Sequence, residues 1–280
     1  MDSKKINFHT HSTFCDGNFS PREMVLAAIQ KNFTMLGFSG HSMYPFAADW
    51  HINPREISNY VKEIRSLQEE FKDSIKIFCG FEADYIPSIT FPTKENYKEF
   101  NPDYLIGSVH YVITEKGQFA VDDKPENILA GFKALYNNDS KTFVHDYFEA
   151  ERKMLKQGDF EIIGHPDLIR KRNGFLKMFD ETTPDYIEEL KLTAKAIASA
   201  GVVAEINTGA IARGVMDDVY PSSYFLELLY EAGVPICINS DAHTTEGLDC
   251  AFERAQSIAK KIGYKELIYP HNGTEEIIHI

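Results

Sequence analysis

Short apolar runs alternate with longer amphipathic stretches along the chain. Ile6-Asn7-Phe8-His9-Thr10-His11 has the period of two that marks a strand, so His9 and His11 point to one side. Further strands are predicted over 35–40, 75–81, 104–109, 160–164, 202–206 and 234–239. Helices fill the intervals. Ser20-Pro21-Arg22-Glu23 is a capping box with proline at the first helical position, opening a helix to about Lys31. Asn53-Pro54-Arg55-Glu56 repeats that signature ahead of Ile57, Tyr60, Val61, Ile64 and Leu67 at helical spacing. The stretch 125–157 reads as two helical pieces broken at Asn137-Asn138-Asp139, and helices are also predicted over 184–200, 222–232 and within 244–262. Such alternation calls for a parallel sheet with crossover helices. Without an internal linker, a low-complexity segment or a repeat, residues 1–280 read as one domain. With no GxGxxG or P-loop signature, a closed (β/α) barrel is favoured over an open doubly wound sheet.

Composition narrows the partners. Apolar residues make up 43% of the 280, enough for a sizeable core, and the formal net charge is -13. That charge argues against a general attraction to nucleic acid or to an anionic membrane, so an anionic substrate needs a local positive site. Cys15, Cys79, Cys237 and Cys250 form no CxxC, and Cys79 and Cys237 in apolar runs read as buried reduced thiols. The opening Met1-Asp2-Ser3-Lys4-Lys5 has no apolar signal-like region and no later run is long enough to cross a bilayer, so a cytoplasmic location is expected.

The candidate chemistry lies at the strand ends. His9, His11, His41, Glu82, His110, His165, Asp241 and His243 fall at or just past the C-terminal ends of predicted strands, the rim on which barrel active sites are built. An N/O set without cysteine suits Zn²⁺, Mn²⁺ or Fe²⁺, and it exceeds what one tetrahedral ion uses. Two or three divalent ions sharing bridging carboxylates are therefore expected. His145, inside a helical stretch, competes with His165 for a ligand place, whereas His51, His271 and His279 read as ordinary loop or tail residues. Asp84 and Asp167 stand beside candidate ligands, where a carboxylate orients an imidazole or pairs with a substrate amine. Arg170 and Arg213 lie in loops past strand ends, and a planar guanidinium suits a phosphate. Phe14, Tyr44, Phe46, Trp50 and Tyr111 follow ligands in loops and are candidates to wall a pocket for a ring.

These motifs carry a resemblance. His9-Thr10-His11 with Asp16, the strand ending in His41, Gly80-Phe81-Glu82-Ala83-Asp84-Tyr85, Ser108-Val109-His110, Gly164-His165-Pro166-Asp167-Leu168-Ile169-Arg170 and Ser240-Asp241-Ala242-His243 resemble the polymerase and histidinol phosphatase (PHP) family. Glu205-Ile206-Asn207-Thr208-Gly209 followed by Tyr220-Pro221-Ser222 is similar to its histidinol-phosphatase branch. The likeness runs from about Asn7 to Phe252, with the motifs in the family's order. It departs at Gly40, where many members carry an acidic residue, and at Pro166. The resemblance implies a distorted (β/α)7 barrel with a trinuclear metal site at the rim. It implies that His9, His11, Glu82 and Asp241 hold one ion, that Glu82 bridges to a second held also by His110 and His165, and that Asp16, His41 and His243 hold a third. The expected activity is hydrolysis of L-histidinol phosphate, with Glu82 and Asp241 as catalytic carboxylates and Arg170 and Arg213 binding phosphate. The alternatives are another small phosphate ester such as a nucleotide or sugar phosphate, C–N hydrolysis as in amidohydrolase-like barrels, and a non-catalytic metal-binding module.

Overall fold

A computed structural model describes residues 4–42 and 50–280; Tyr44 and Phe46 lie outside the described residues. The strands, in chain order, are β1 (Lys5–Asn7), β2 (Phe33–His41), β3 (Lys76–Asp84), β4 (Tyr104–Ser108), β5 (Tyr111–Thr114), β6 (Gly117–Ala120), β7 (Ile162–Ile163), β8 (Val203–Asn207), β9 (Ile236–Asn239), β10 (Glu266–His271) and β11 (Thr274–His279). Seven of them form one sheet in the order β1-β2-β3-β4-β7-β8-β9, with every neighbouring pair parallel. Its two edges meet. Thr10 and Ala242 form a parallel bridge, with His11 N donating to Ala242 O at 2.9 Å and Ala242 N to His9 O at 3.1 Å. The result is a nearly closed barrel wrapped by helices, as the alternation predicts. Regular pairing is thinnest at β1 and β7, which span three and two residues.

The first helix, Pro21–Gln30, has the capping box read from Ser20 and Glu23. The second begins later than its signature suggests. Asn53 O accepts from Glu56 N at 2.8 Å and its side chain from Arg55 N at 3.0 Å, so this stretch is a turn and the helix runs Ile57–Glu70. Asn137 and Asn138, with φ of 51° and 62°, separate Pro125–Tyr136 from Ser140–Gln157, and Asp139 caps the second piece. Two antiparallel hairpins, β5–β6 and β10–β11, are additions to the expected plan. Asn272-Gly273, with φ of 49° and 70°, is the two-residue turn of the second, and it is a hairpin signal present in the sequence.

Along β3 the period of two points Phe78, Gly80, Glu82 and Asp84 to the barrel interior. The lower positions are aromatic. Phe8 lies 5.1 Å from Phe78, 4.9 Å from Tyr104 and 5.5 Å from Tyr269, centroid to centroid. The Tyr104 hydroxyl reaches across to Phe8 O (2.5 Å) and Phe38 O (3.0 Å). That crossing requires glycine on two neighbouring strands. A Cβ on Gly37 would stand 2.4 Å from the Tyr104 hydroxyl, and one on Gly80 2.6 Å from its Cζ. The terminal hairpin covers this end, with His271 4.5 Å from Phe78. The upper interior is left for polar side chains.

Candidate metal centre

Glu82, fully buried in mid-barrel, is the hub. Its Oε2 faces His9 Nε2 at 3.1 Å, His11 Nε2 at 3.5 Å and His41 Nδ1 at 3.0 Å. Its Oε1 faces His165 Nε2 at 2.8 Å and His110 Nε2 at 3.4 Å, and accepts from Ser108 Oγ at 2.8 Å. Asp241 Oδ1 stands 3.1 Å from His11 Nε2 and 3.7 Å from His9 Nε2. Asp16 meets His243 Nε2 at 3.0 Å, and also lies 3.7 Å from both His41 Nε2 and His11 Nδ1. The side chains expected at the rim thus converge. They form overlapping sets with ligand atoms within 4.8 Å of one another: His11, Asp16, His41 and His243; His9, His11 and Asp241; His9, Glu82 and His165; His41, Asp84 and His110.

The donor set fits divalent ions. His9 Nε2, His11 Nε2, His41 Nδ1, Glu82 Oε2 and Asp16 Oδ1 are buried and make no hydrogen bond. Such groups are costly inside a protein unless something coordinates them. Imidazole and carboxylate without sulfur is a set that zinc, manganese or iron accepts.

A second layer aims the imidazoles. Glu205 binds His9 Nδ1 at 2.7 Å and accepts from His165 N at 3.0 Å, while Asp84 binds His110 Nδ1 at 2.6 Å. Each carboxylate fixes the outer nitrogen and turns the inner one to the centre. The backbone contributes as well. His165 and Asp241 have φ of 27° and 49°, the left-handed region that non-glycine residues rarely occupy, and this turns each strand end into the site. Burial, with His243 and His41 beside it, pushes His11 down to about 3 and keeps that imidazole neutral. Burial acts to raise Glu82, but His41, His9 and His110 outweigh it and hold the carboxylate well below its usual range.

A cavity of about 310 Å³ opens over the cluster. Trp50, Leu168, Asp122, Lys171, Arg172 and Arg213 line it beside the rim residues. Arg213, expected as a phosphate-binding cation, is among the residues that line this cavity, donating to Asp241 O at 2.9 Å and Asp241 Oδ2 at 2.8 Å. Arg170 is not. Its guanidinium is turned away, bonded to Glu181 (2.7 Å), Asp218 (2.9 Å), Asp167 (3.3 Å) and Val219 O (3.3 Å). These carboxylates satisfy its charge, and it does not line the cavity. The next two residues do so instead, with Lys171 bonded to Asp122 at 2.9 Å and Arg172 to Asp123 O at 2.6 Å.

His145 also lies elsewhere, half-exposed on the helix Ser140–Gln157 and 2.7 Å from Glu189, so it does not replace His165. His279 is an exposed tail residue, as expected, and His271 belongs to the covered lower end. His51 differs from expectation. It is buried against Trp50, and burial with His41 and His110 nearby pushes it down to about 2. Of the two flanking carboxylates, Asp84 orients an imidazole, whereas Asp167 binds Arg170 and Ser222 N, with burial raising it to about 6. Trp50 stands edge-on to His41 at 4.6 Å and stacks with Tyr111 at 5.8 Å, while Phe14 packs on Tyr60. Lys171, Arg172 and Asp122 are cavity residues that sequence reasoning missed. Glu205 was visible only as part of a motif, and its contact with His9 was not foreseen, although a carboxylate inside an apolar strand is a signal.

A parallel barrel with histidines and carboxylates clustered on its rim is the architecture of a barrel metalloprotein. The chain belongs to the PHP domain family, whose model matches residues 7–209. Asp241 and His243 lie beyond that stretch. The probable histidinol-phosphatase of Schizosaccharomyces pombe is 28% identical over 285 residues, covering 96% of this chain and 90% of its own. The probable histidinol-phosphatase of Deinococcus radiodurans is 28% identical over 267 residues, covering 94% and 95%. The structure of histidinol phosphate phosphatase from Lactococcus lactis, complexed with zinc, L-histidinol and phosphate, matches with a TM-score of 0.74 at 25% identity, over 98% of this chain and 99% of that one.

Proposed function

We propose that this protein is a metal-dependent phosphomonoesterase that hydrolyses L-histidinol phosphate to L-histidinol and phosphate, a cytoplasmic step of histidine biosynthesis. The observation that carries the reading is the division of Glu82. One oxygen faces His9, His11 and His41 and the other faces His110 and His165, so Glu82 would suit a carboxylate shared between divalent ions. The names of the relatives point to the substrate.

Two to three divalent ions, zinc, manganese or iron, would be held by His9, His11, Glu82 and Asp241; by Glu82, His110 and His165; and by Asp16, His41 and His243. When bound, such ions neutralise phosphate oxygens and make water nucleophilic at neutral pH. The chain supplies the rest. Glu82 and Asp241 are the catalytic carboxylates, each reaching two or more of the converging imidazoles. Glu205 and Asp84 keep the ligand nitrogens aimed. Arg213, anchored on Asp241, offers a cation to the phosphate. The cavity admits a small ester, and the net charge of -13 disfavours a polynucleotide.

A second reading, a phosphatase for nucleotides or sugar phosphates, draws on the mostly charged cavity lining, in which Trp50, Ala120 and Leu168 are the apolar members. The test compares kcat/KM on L-histidinol phosphate, nucleoside monophosphates and sugar phosphates. L-Histidinol phosphate is expected to lead, and chelation with dialysis to abolish turnover until a divalent ion is restored. Full activity after metal removal would sink the mechanism, and a nucleotide or sugar phosphate in the lead would replace the substrate.

A further inference from the structure

The cavity wall contains a carboxylate that a phosphate site has reason to avoid. Asp122 lines the cavity but belongs to none of the converging ligand sets. It follows β6, and the bond from Val121 N to His110 O at 2.8 Å ties it beside the rim. Its side chain is 22% exposed, and its Oδ2 lies 2.9 Å from Lys171 Nζ. Its neighbour Asp123 is already engaged, one oxygen accepting from Lys124 N at 2.6 Å and the other from Asn127 Nδ2 at 2.8 Å. Asp122 Oδ1 receives no hydrogen bond among the described residues.

An anion here repels an incoming phosphate dianion. Lys171 offsets that charge through one oxygen, a cation on the ligand would meet the other, and a wall charge that attracts one ester while penalising another is a device for specificity. We propose that Asp122 is a specificity-determining residue that binds the ammonium group of an amino-alkyl phosphate, with Lys171 fixing the carboxylate. This rests on the phosphatase reading above. In L-histidinol phosphate the ammonium is two carbons from the ester oxygen. An ester docked over the cluster therefore keeps its ammonium at the rim, where Asp122 stands. Asp84 and Asp167, the other carboxylates considered for this contact, are occupied by His110 and Arg170.

The experiment compares the metal-loaded wild type, Asp122→Asn and Asp122→Glu on two esters: L-histidinol phosphate and its desamino analogue, 3-(imidazol-4-yl)propyl phosphate. The wild type is expected to prefer the ammonium ester by roughly ten- to hundredfold in kcat/KM, mostly through KM, the worth of one charge-assisted hydrogen bond. Asp122→Asn is expected to erase most of that preference and Asp122→Glu to keep part of it. A wild type that hydrolyses both esters equally well overturns the inference and leaves the phosphatase reading standing. So does an Asp122→Asn enzyme that loses activity equally on both, because the pair with Lys171 would then be structural. A wild type that hydrolyses neither ester overturns both.

Discussion

The two ends of the barrel are built from the same strands on opposite principles. At the lower end Phe8, Phe78, Tyr104 and Tyr269 fill the interior, and the tyrosine hydroxyls are satisfied by backbone: Tyr104 meets Phe8 O and Phe38 O, and Tyr269 donates to Ile238 O at 2.9 Å. At the upper end, four residues further along β3 from Phe78, the interior holds Glu82 among imidazoles with buried nitrogens and oxygens that make no hydrogen bond. One end is optimised for the fold. The other departs from the rules of a good core where chemistry is wanted. The difference teaches where to look for function: unpartnered ring nitrogens and carboxylate oxygens gathered round one point mark the working end, whereas the hydroxyls of Tyr104 and Tyr269 at the structural end are bonded.

The comparison can be broken by experiment. The largest expected effect is at the hub, where Glu82→Gln should lower kcat/KM by roughly a thousandfold while Tm falls by less than about 4 °C. A collapse of Tm instead would make Glu82 a folding residue. Arg170→Met should show the opposite signature. It leaves the buried Asp167 carboxylate without its cation and should cost about 3 kcal/mol of stability in urea unfolding, with KM within roughly twofold of wild type. A tenfold rise in KM at unchanged stability would return Arg170 to the substrate. Glu205→Gln weakens the aim of His9 without removing a ligand, so chelator competition should find metal affinity lowered roughly 10- to 100-fold. Unchanged affinity would make the Glu205–His9 contact incidental. The smallest effect is expected at the other end: Tyr104→Phe should cost about 1–2 kcal/mol with kcat unaltered.

Most candidate ligand positions were legible because each is a charged or imidazole residue at the end of an apolar run, and a barrel gathers all such ends on one rim; Asp16, in the loop past His11, was legible only through the resemblance. Strand order and helix spacing followed from the same periodicity, down to the break at Asn137-Asn138. What stayed hidden depends on distant parts of the chain. Arg170 and Arg213 look alike as loop arginines. Which of them faces the cavity is decided by Glu181, Asp218 and Asp167 gathered round the first and Asp241 beside the second. The hairpin β5–β6 has no glycine- or asparagine-led turn of the usual kind, so 111–120 read as loop, and with it the placing of Asp122 was lost. The turn at Asn272-Gly273 was readable.

The closing seam of the barrel has a consequence for how the protein is made. Phe8 N and Asn239 Oδ1, 231 positions apart, are joined at 2.7 Å, and the nitrogen of His11 meets the carboxylate of Asp241 across the same seam. Contacts of such long range are the last to repay their loop-closure entropy. A nascent chain still lacking its final quarter holds His9 and His11 without Asp241 or His243, and it can grip an ion only loosely. On the proposed ligand assignment, tight metal uptake would report barrel closure, and a chelator pulse during refolding would time that event.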